Sequence, residues 1–247
     1  TALELEIPGK AQLEIEKENI LKEIEIKEKQ KDEYLEKHQN VIDELNMSEE
    51  ELRNISKLHI VACGSAYHAG VTGKYVIEGL ARIPVEVDLA SEFRYRNPIV
   101  DDKTLVVIIS QSGETADTLA ALKEAKKRGA HILSIVNVVG SSIAKASDDV
   151  IYTWAGPEIA VATTKAYSAQ LLSLYLFAMH FGRSIGPLSD KDWNEMLQAL
   201  KNLPQQVEFL LSNRSKIQKE IKYKRKNSLP KKQTVFLILQ IRICRAD

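Results

Sequence analysis

Short runs of apolar residues recur along the middle of the chain, and helical patterns separate them. The strands that these runs predict cover residues 58–62, 85–90, 105–109, 132–136 and 150–154. The helices predicted between and after them cover residues 68–81, 115–128, 142–146 and 163–181. Continuous apolar strands that alternate with helices are typical of a parallel sheet covered on both faces. The pattern therefore predicts an α/β fold, an open, doubly wound sheet between two layers of helices.

The segment before this region has a different pattern. Residues 1–56 are rich in charge and predict a solvated amphipathic helix, with one apolar stripe made of Leu13, Ile20, Leu21 and Ile24. Ser48 and Glu51 have the spacing of a capping box, which predicts that another short helix starts there. We expect no chemistry in this extension.

The segment after the central region has a third pattern of apolar and polar residues. Two helices are predicted between residues 189 and 222, with Pro204 near the start of the second, and residues 234–239 predict a buried strand. A strand without its following helix cannot form a domain alone. The pattern thus divides the chain into a charged helical extension (1–56), an α/β ligand-binding domain (57–186), and a helical linker that leads into an incomplete second unit (187–247).

Composition and charge narrow the class of protein. The 247 residues include 34 Lys and Arg and 34 Asp and Glu, so the formal net charge is zero, which argues against nucleic-acid binding through a generally basic surface. Two cysteines, Cys63 and Cys244, cannot form a disulfide framework, which favours a reducing compartment. The longest apolar stretch, residues 171–181, is too short to span a bilayer. We therefore expect a cytoplasmic protein with neither a nucleic-acid nor a membrane partner.

Hydroxyl side chains gather where the predicted strand 105–109 meets the next helix. Ser110, Gln111, Ser112 and Thr115 occupy this turn, which also carries Gly113. A helix start offers unpaired backbone N–H groups and the positive end of the helix dipole. Hydroxyl donors there suit a phosphate monoester, and the Gln111 amide suits sugar hydroxyls. Capping of the helix without any ligand is the alternative.

Two further turns between strands and helices have the same character. Cys63, Gly64 and Ser65 follow the first strand, and residues 156–165 lead into the helix at 163–181. Turns at the carboxyl ends of parallel strands share one edge of a sheet. Together the three turns favour a polar pocket for a phosphorylated small molecule over capping alone.

Other chemistries lack their sequence patterns. The chain has neither the glycine-rich fingerprint of dinucleotide binding nor a Walker A motif. The segment from Ser110 to Gly113 partly resembles a nucleophile elbow, G-x-S-x-G, but Ser110 occupies the position of its first glycine, which argues against this motif. Cys63 has no base assigned to it and is interpreted as a small buried apolar residue, and the five histidines show no metal-ligand spacing. We predict no cofactor, no metal site and no catalytic residue in this chain.

Five motifs, in order along the chain, carry a resemblance to a known family. They are Ala62-Cys-Gly-Ser65, Ala90-Ser-Glu-Phe-Arg-Tyr-Arg96, Ser110-Gln-Ser-Gly-Glu-Thr-Ala-Asp-Thr-Leu119, Asn137-Val-Val-Gly-Ser-Ser142 and Ala155-Gly-Pro-Glu-Ile-Ala-Val-Ala-Thr-Thr-Lys-Ala-Tyr167. With these motifs the chain resembles the sugar isomerase (SIS) domains and, within that superfamily, the isomerase part of the glutamine–fructose-6-phosphate aminotransferases. The resemblance is dense over residues 57–185 and thinner outside them.

The resemblance implies a five-stranded parallel sheet and a hexose 6-phosphate ligand, either fructose 6-phosphate or glucosamine 6-phosphate. It also implies three groups of substrate-binding residues: Ser110, Gln111, Ser112 and Thr115 in the phosphate loop, Cys63, Gly64 and Ser65 in the turn that touches the sugar, and Val161 and Thr163 in a third contact segment. Ala66 departs from some members, which have a serine there that reaches the phosphate.

The resemblance also implies a reaction that this chain does not complete. In the family, a glutaminase domain releases ammonia, and two SIS domains hold the sugar during amino transfer and ketose-to-aldose isomerisation. The proton-transferring glutamate and the Schiff-base lysine belong to parts of the family that this chain does not match. We therefore expect a truncated member that binds a hexose 6-phosphate, forms a homodimer, and does not catalyse amination alone.

Two other functions stay open at this point. One is a non-catalytic sugar-phosphate sensor, with the charged helix within residues 10–45 as an interaction arm. The other is a single-domain sugar-phosphate isomerase whose catalytic groups meet across subunit interfaces. A stable protein or DNA partner would favour the sensor, and turnover of an aldose or ketose phosphate would favour the isomerase.

Overall fold

The structure is a computed structural model that describes residues 47–158, 163 and 165–213. The charged helix predicted within residues 10–45, Val161 of the third contact segment, and the strand predicted at 234–239 lie outside the described residues. The chain divides after Trp193 into two compact units.

Five parallel strands form the sheet of the first unit, in the order β2-β1-β3-β4-β5. These strands are β1 (Lys57–Ala62), β2 (Val85–Leu89), β3 (Thr104–Ser110), β4 (His131–Val136) and β5 (Asp149–Tyr152). The observed order and direction confirm the predicted doubly wound, five-stranded parallel sheet.

Helices cover both faces of this sheet. They are α1 (Glu49–Asn54), α2 (Gly64–Ala81), α3 (Ala90–Tyr95), α4 (Ala116–Lys127), α5 (Ser142–Ala146) and α6 (Lys165–Ser184). Apolar residues of α1, α2 and α6 pack against one face, and those of α3, α4 and α5 pack against the other. On β3, Leu105, Val107 and Ile109 face the first core, whereas Val106 and Ile108 face the second. Burial on both faces explains why β3 is apolar throughout its centre.

Several boundaries in this unit differ from the sequence-based predictions, and two of the differences have a clear local cause. α2 begins at Gly64 rather than at residue 68, because Cys63 already takes the extended backbone of an N-cap directly after β1. β2 ends at Leu89, and the residues after it form α3, which the sequence pattern does not predict. Since α3 buries only Ala90 and Phe93, one turn apart, its apolar pattern is too short to stand out.

The predicted capping box is confirmed at the start of α1. The Ser48 hydroxyl accepts a hydrogen bond from the Glu51 backbone N–H, and the Glu51 carboxylate accepts one from the Ser48 backbone N–H. Hydrogen bonds from the Ser48 backbone N–H and from the Ser48 hydroxyl to the Glu51 carboxylate lower the pKa of this carboxyl. The short helix then places Leu52 and Ile55 in the first core.

Two helices follow α6, namely α7 (Asp190–Lys201) and α8 (Leu203–Ser212). They match the two helices predicted from residue 189 onward, and Pro204 lies in the first turn of α8, where a missing N–H is tolerated. α8 belongs to the second unit and has no buried residue. Within the described ranges, no helix is both long and apolar enough to cross a membrane.

His131 and Asp149 pair at the amino ends of β4 and β5. His131 Nε2 lies 2.6 Å from Asp149 Oδ2, and the Asp149 side chain is almost fully buried. The hydrogen bond to Asp149 raises the pKa of His131, partial burial opposes this, and the carboxylates of Asp149, Asp148 and Glu51 add to the rise.

We predict that the stabilising effect of His131 depends on pH. A histidine whose pKa is raised on folding contributes its full stability below the unfolded pKa of about 6.5, and this contribution is lost as pH rises through the folded value. The free energy of unfolding of the wild type should therefore exceed that of His131→Gln by more at about pH 6 than at about pH 9, which urea titrations measure. Burial lowers the pKa of His59 and gives the opposite trend, but His59 is present in both proteins and cancels. A difference that does not change with pH would contradict the prediction.

Candidate functional site

The carboxyl ends of β1 and β3 lie side by side, because Ala62 pairs with Ile109 in the parallel register. From these ends the chain leaves β1 toward one face, into α2, and leaves β3 toward the other face, into α4. A crevice opens at such a switch point in an open α/β sheet. A cavity of about 340 Å³ lies there.

Residues of the three predicted turns line this cavity together. The described residues in its wall are Cys63, Ser65 and Ala66 after β1, Ile109, Ser110, Gln111, Ser112, Thr115 and Thr118 around the end of β3 and the start of α4, and Glu158, Thr163 and Gln170 between β5 and α6. The structure thus brings together all the sequence-predicted site residues except Gly64, which does not line the cavity, and Val161, which is not described.

The hydroxyl groups of the β3–α4 turn contact one another and the turn backbone. Ser110 Oγ lies 3.1 Å from Thr115 Oγ1 and accepts a hydrogen bond from the Gly113 N–H. Ser112 Oγ accepts one from the Glu114 N–H. These contacts hold the turn in one shape and keep its hydroxyls close to the start of α4.

Two of the helices that start at the cavity, α2 and α4, are not capped by their N-cap side chains. Thr115 precedes α4 and Cys63 precedes α2, and neither side chain accepts a hydrogen bond from the first turn that follows it. The unpaired N–H groups of a helix start carry a partial positive charge and bind anions. The geometry therefore disfavours the alternative in which the hydroxyls serve only as caps.

Gly113 is required by the shape of this turn. Its φ is +67°, a left-handed conformation that side chains disfavour. A Cβ atom at this position would overlap the side chain of Ser141. The Gly113 carbonyl accepts a hydrogen bond from the Ile143 N–H, and this bond joins the turn to the start of α5.

Glu114 provides a second link between the turn and α5. Its Oε1 accepts a hydrogen bond of 2.7 Å from the Ser142 N–H. Hydrogen bonding from Ser142 lowers the pKa of the exposed Glu114 carboxyl. Glu114 does not line the cavity, and its hydrogen bond to Ser142 holds the β3–α4 turn against the start of α5.

Asn137 anchors the backbone that leads into the third turn. Its Oδ1 accepts hydrogen bonds from Thr153 Oγ1 at 3.0 Å and from the Ala155 N–H at 2.8 Å, and its Nδ2 donates to the Gly156 carbonyl at 2.8 Å. One side chain at the end of β4 therefore fixes the backbone after β5.

Glu158 is the only charged side chain among the described residues that line the cavity. Its Oε2 accepts hydrogen bonds from the Thr163 hydroxyl at 3.3 Å and from the Ala166 N–H at 3.2 Å, which tie it to the start of α6. An anionic ligand would thus meet hydroxyls and helix N–H groups rather than a lysine or arginine in the described wall. Nor do any three His, Cys, Asp or Glu side chains of the described residues group so that they could hold a metal ion.

Cys63 matches its interpretation as a buried apolar residue only in part, since it packs against the second core but is not fully buried. It is half-buried, lines the cavity, and its Sγ accepts a hydrogen bond of 3.6 Å from Thr118 Oγ1. The reason is its position at the very end of β1, where the chain leaves the sheet beside the crevice.

Sequence reasoning does not single out three of the polar lining residues. Thr118 lies one helical turn after Thr115, and Glu158 lies within the third turn, so both had a positional signal. Gln170 lies inside α6 and reaches the cavity only because α6 packs against α2. The local pattern around Gln170 contains no such signal.

The fold and the cavity together define a three-layer α/β protein with a polar, ligand-sized crevice at the switch point of its sheet. The SIS domain family model matches residues 51–180. The chain therefore belongs to the SIS domain family, as the resemblance indicates.

Relatives within this family carry a more specific name. The chain is 60% identical over 181 residues to the isomerising glutamine–fructose-6-phosphate aminotransferase of Caldanaerobacter subterraneus subsp. tengcongensis, which covers 73% of this chain and 30% of that protein. It is 56% identical over 170 residues to the enzyme of the same name from Clostridium tetani, covering 69% of this chain and 28% of that protein. The chain thus spans under a third of the length of these two relatives.

A solved structure supports the same assignment. The C-terminal domain of glucosamine-fructose-6-phosphate aminotransferase from Francisella tularensis matches with a TM-score of 0.67 and 36% identity, covering 78% of this chain and 58% of that chain. The α/β domain is therefore homologous to part of these aminotransferases, and the solved structure that it matches is a C-terminal domain.

Proposed function

We propose that this chain is a sugar-phosphate-binding SIS domain of a glutamine–fructose-6-phosphate aminotransferase and serves amino sugar biosynthesis. Its ligand is fructose 6-phosphate or glucosamine 6-phosphate, and the binding form is a homodimer. The observation that carries this proposal is the group of Ser110, Ser112 and Thr115 hydroxyls beside the uncapped start of α4, in the wall of the switch-point cavity. The names of the relatives supply the identity of the sugar.

The phosphate group occupies the β3–α4 turn in this proposal. Hydroxyls of Ser110, Ser112 and Thr115 and the first N–H groups of α4 donate to its oxygens, and the helix dipole favours its charge. Cys63, Gly64 and Ser65 approach the sugar from the neighbouring turn, and Gln111 offers its amide to sugar hydroxyls. Thr163 completes the contacts from the third turn, and Val161 keeps its predicted role there.

Amino transfer and isomerisation belong to the complete enzyme in this proposal. A general base must lie within hydrogen-bond reach of the substrate proton that it removes. Glu158, the only carboxylate among the described lining residues, already accepts hydrogen bonds from Thr163 and Ala166 at the start of α6. We infer that Glu158 positions the third turn and that the chain alone does not aminate fructose 6-phosphate.

Thermal unfolding with and without ligand tests the proposal. Fructose 6-phosphate or glucosamine 6-phosphate at about 100 times its dissociation constant should add about 2.7 kcal/mol to the free energy of unfolding. Unphosphorylated fructose at the same concentration should add almost nothing, because it lacks the group that the turn binds. An equal effect of fructose, or no effect of either phosphate sugar on a folded protein, would contradict the proposal.

A further inference from the structure

Gln170 has a buried amide oxygen that makes no hydrogen bond. The residue lies on α6, is 3% exposed, and lines the same cavity as Ser110 and Thr115. Its Oε1 has no partner among the described residues. A buried amide oxygen that stays unpaired is unfavourable, and most such atoms in folded proteins are paired. The described residues therefore leave this atom without a hydrogen-bond partner.

The position of Gln170 separates it from the other unpaired buried atoms of the described residues. His59 Nδ1 and Ser134 Oγ are also buried without a hydrogen bond, but neither residue lines the cavity. Gln170 combines an unpaired polar atom with a place in the wall of a ligand-sized crevice. We expect the partner from a ligand in that crevice, which the amide reaches once the side chain turns, because Oε1 itself is almost fully buried in the ligand-free protein.

We propose that Gln170 is a specificity-determining residue of this site and that its amide pairs with a hydroxyl group of the bound sugar, an inference that rests on the proposed function. The phosphate-binding groups come from the β3–α4 turn, whereas Gln170 comes from α6. A hydroxyl both donates and accepts, so it pairs with Oε1 or, when the amide turns over, with Nε2. A ligand that is only a phosphate does not need this contact.

The proposal makes Gln170 a residue kept for binding rather than for folding. Gln170→Leu keeps similar bulk and removes the unpaired amide, so the free protein should unfold at the same or a higher urea concentration than the wild type. If the amide instead served the packing of α6, leucine would lower this concentration. Gln170→Met, which is unbranched, provides a second variant in case leucine does not fit.

Calorimetric titration of the full chain with two ligands tests the contact. Fructose 6-phosphate should bind Gln170→Leu and Gln170→Met about threefold to tenfold more weakly than the wild type, the loss of one hydrogen bond. Inorganic phosphate should bind all three proteins equally. Gln198→Leu, an exposed change on α7, serves as the control and should alter neither affinity.

The outcomes separate this inference from the function on which it rests. Unchanged fructose 6-phosphate affinity in both variants would overturn the role of Gln170 and leave the proposed function standing. An equal loss for inorganic phosphate would also overturn it, because Gln170 would then act through the shape of the phosphate turn. If the wild type bound phosphate but showed no preference for fructose 6-phosphate, the proposed function would fail and this inference with it.

Discussion

Replacing Gly113 with alanine should destabilise the protein by about 2–6 kcal/mol and abolish sugar-phosphate binding. The left-handed backbone at Gly113 costs a side chain about 1–3 kcal/mol. The new methyl group would also overlap the side chain of Ser141, and forcing it into this packed position costs about 1–3 kcal/mol more. The turn would have to shift, and with it the Ser110 and Thr115 hydroxyls. Urea unfolding and a ligand titration measure the two effects.

Gly140→Ala is the matched control for this change. Gly140 has nearly the same left-handed φ, +70°, but a Cβ atom there would meet nothing within 4 Å. The free energy of unfolding of this variant should therefore fall only by the cost of placing a side chain in a left-handed backbone conformation. The variant should still bind ligand. Equal losses of stability in Gly113→Ala and Gly140→Ala would show that the contact with Ser141 is not what makes Gly113 necessary.

Removing the Ser110 and Thr115 hydroxyls together should eliminate the stabilisation by sugar phosphate. A hydrogen bond to a charged group contributes about 1.5–3 kcal/mol, so losing two weakens binding by at least about a hundredfold. At a ligand concentration that adds about 2.7 kcal/mol to the wild type, the Ser110→Ala/Thr115→Ala variant should gain less than about 0.5 kcal/mol. Thermal unfolding with and without fructose 6-phosphate gives both values.

A second pair of hydroxyls controls for the loss of polar groups in general. Thr72 and Ser147 also make hydrogen bonds, to backbone carbonyls four residues earlier, and neither lines the cavity. The Thr72→Ala/Ser147→Ala variant should keep the full ligand-dependent gain. If the Ser110→Ala/Thr115→Ala variant also kept it, the phosphate would not bind at this turn.

The sequence predicts the sheet well because burial of a strand on both faces requires a continuous run of apolar residues. β3 must place apolar side chains in two cores at once, and the resulting run from Leu105 to Ile109 is unbroken. The turn after it is equally visible, since it concentrates Ser110, Ser112 and Thr115 at a helix start. Parallel order then brings the three turns to one edge of the sheet without further information.

Other features depend on contacts that a local pattern does not record. α3 is six residues long, too short for a helical period to show. Cys63 looks like a core residue because an apolar strand precedes it, yet it is the first residue to leave the sheet. Gln170 lies within the apolar pattern of α6, and only the packing of α6 on α2 brings it to the cavity.

Hydrogen exchange measured by mass spectrometry tests the central claim most directly, that a phosphorylated sugar binds at the switch-point cavity. The full chain would be compared with and without saturating fructose 6-phosphate, with fructose as the reference. We predict slower exchange in peptides that cover residues 110–118 and 63–66, where the uncapped starts of α4 and α2 meet the ligand, and no change with fructose. Protection confined to other parts of the chain, or no protection at a saturating concentration, would contradict the account.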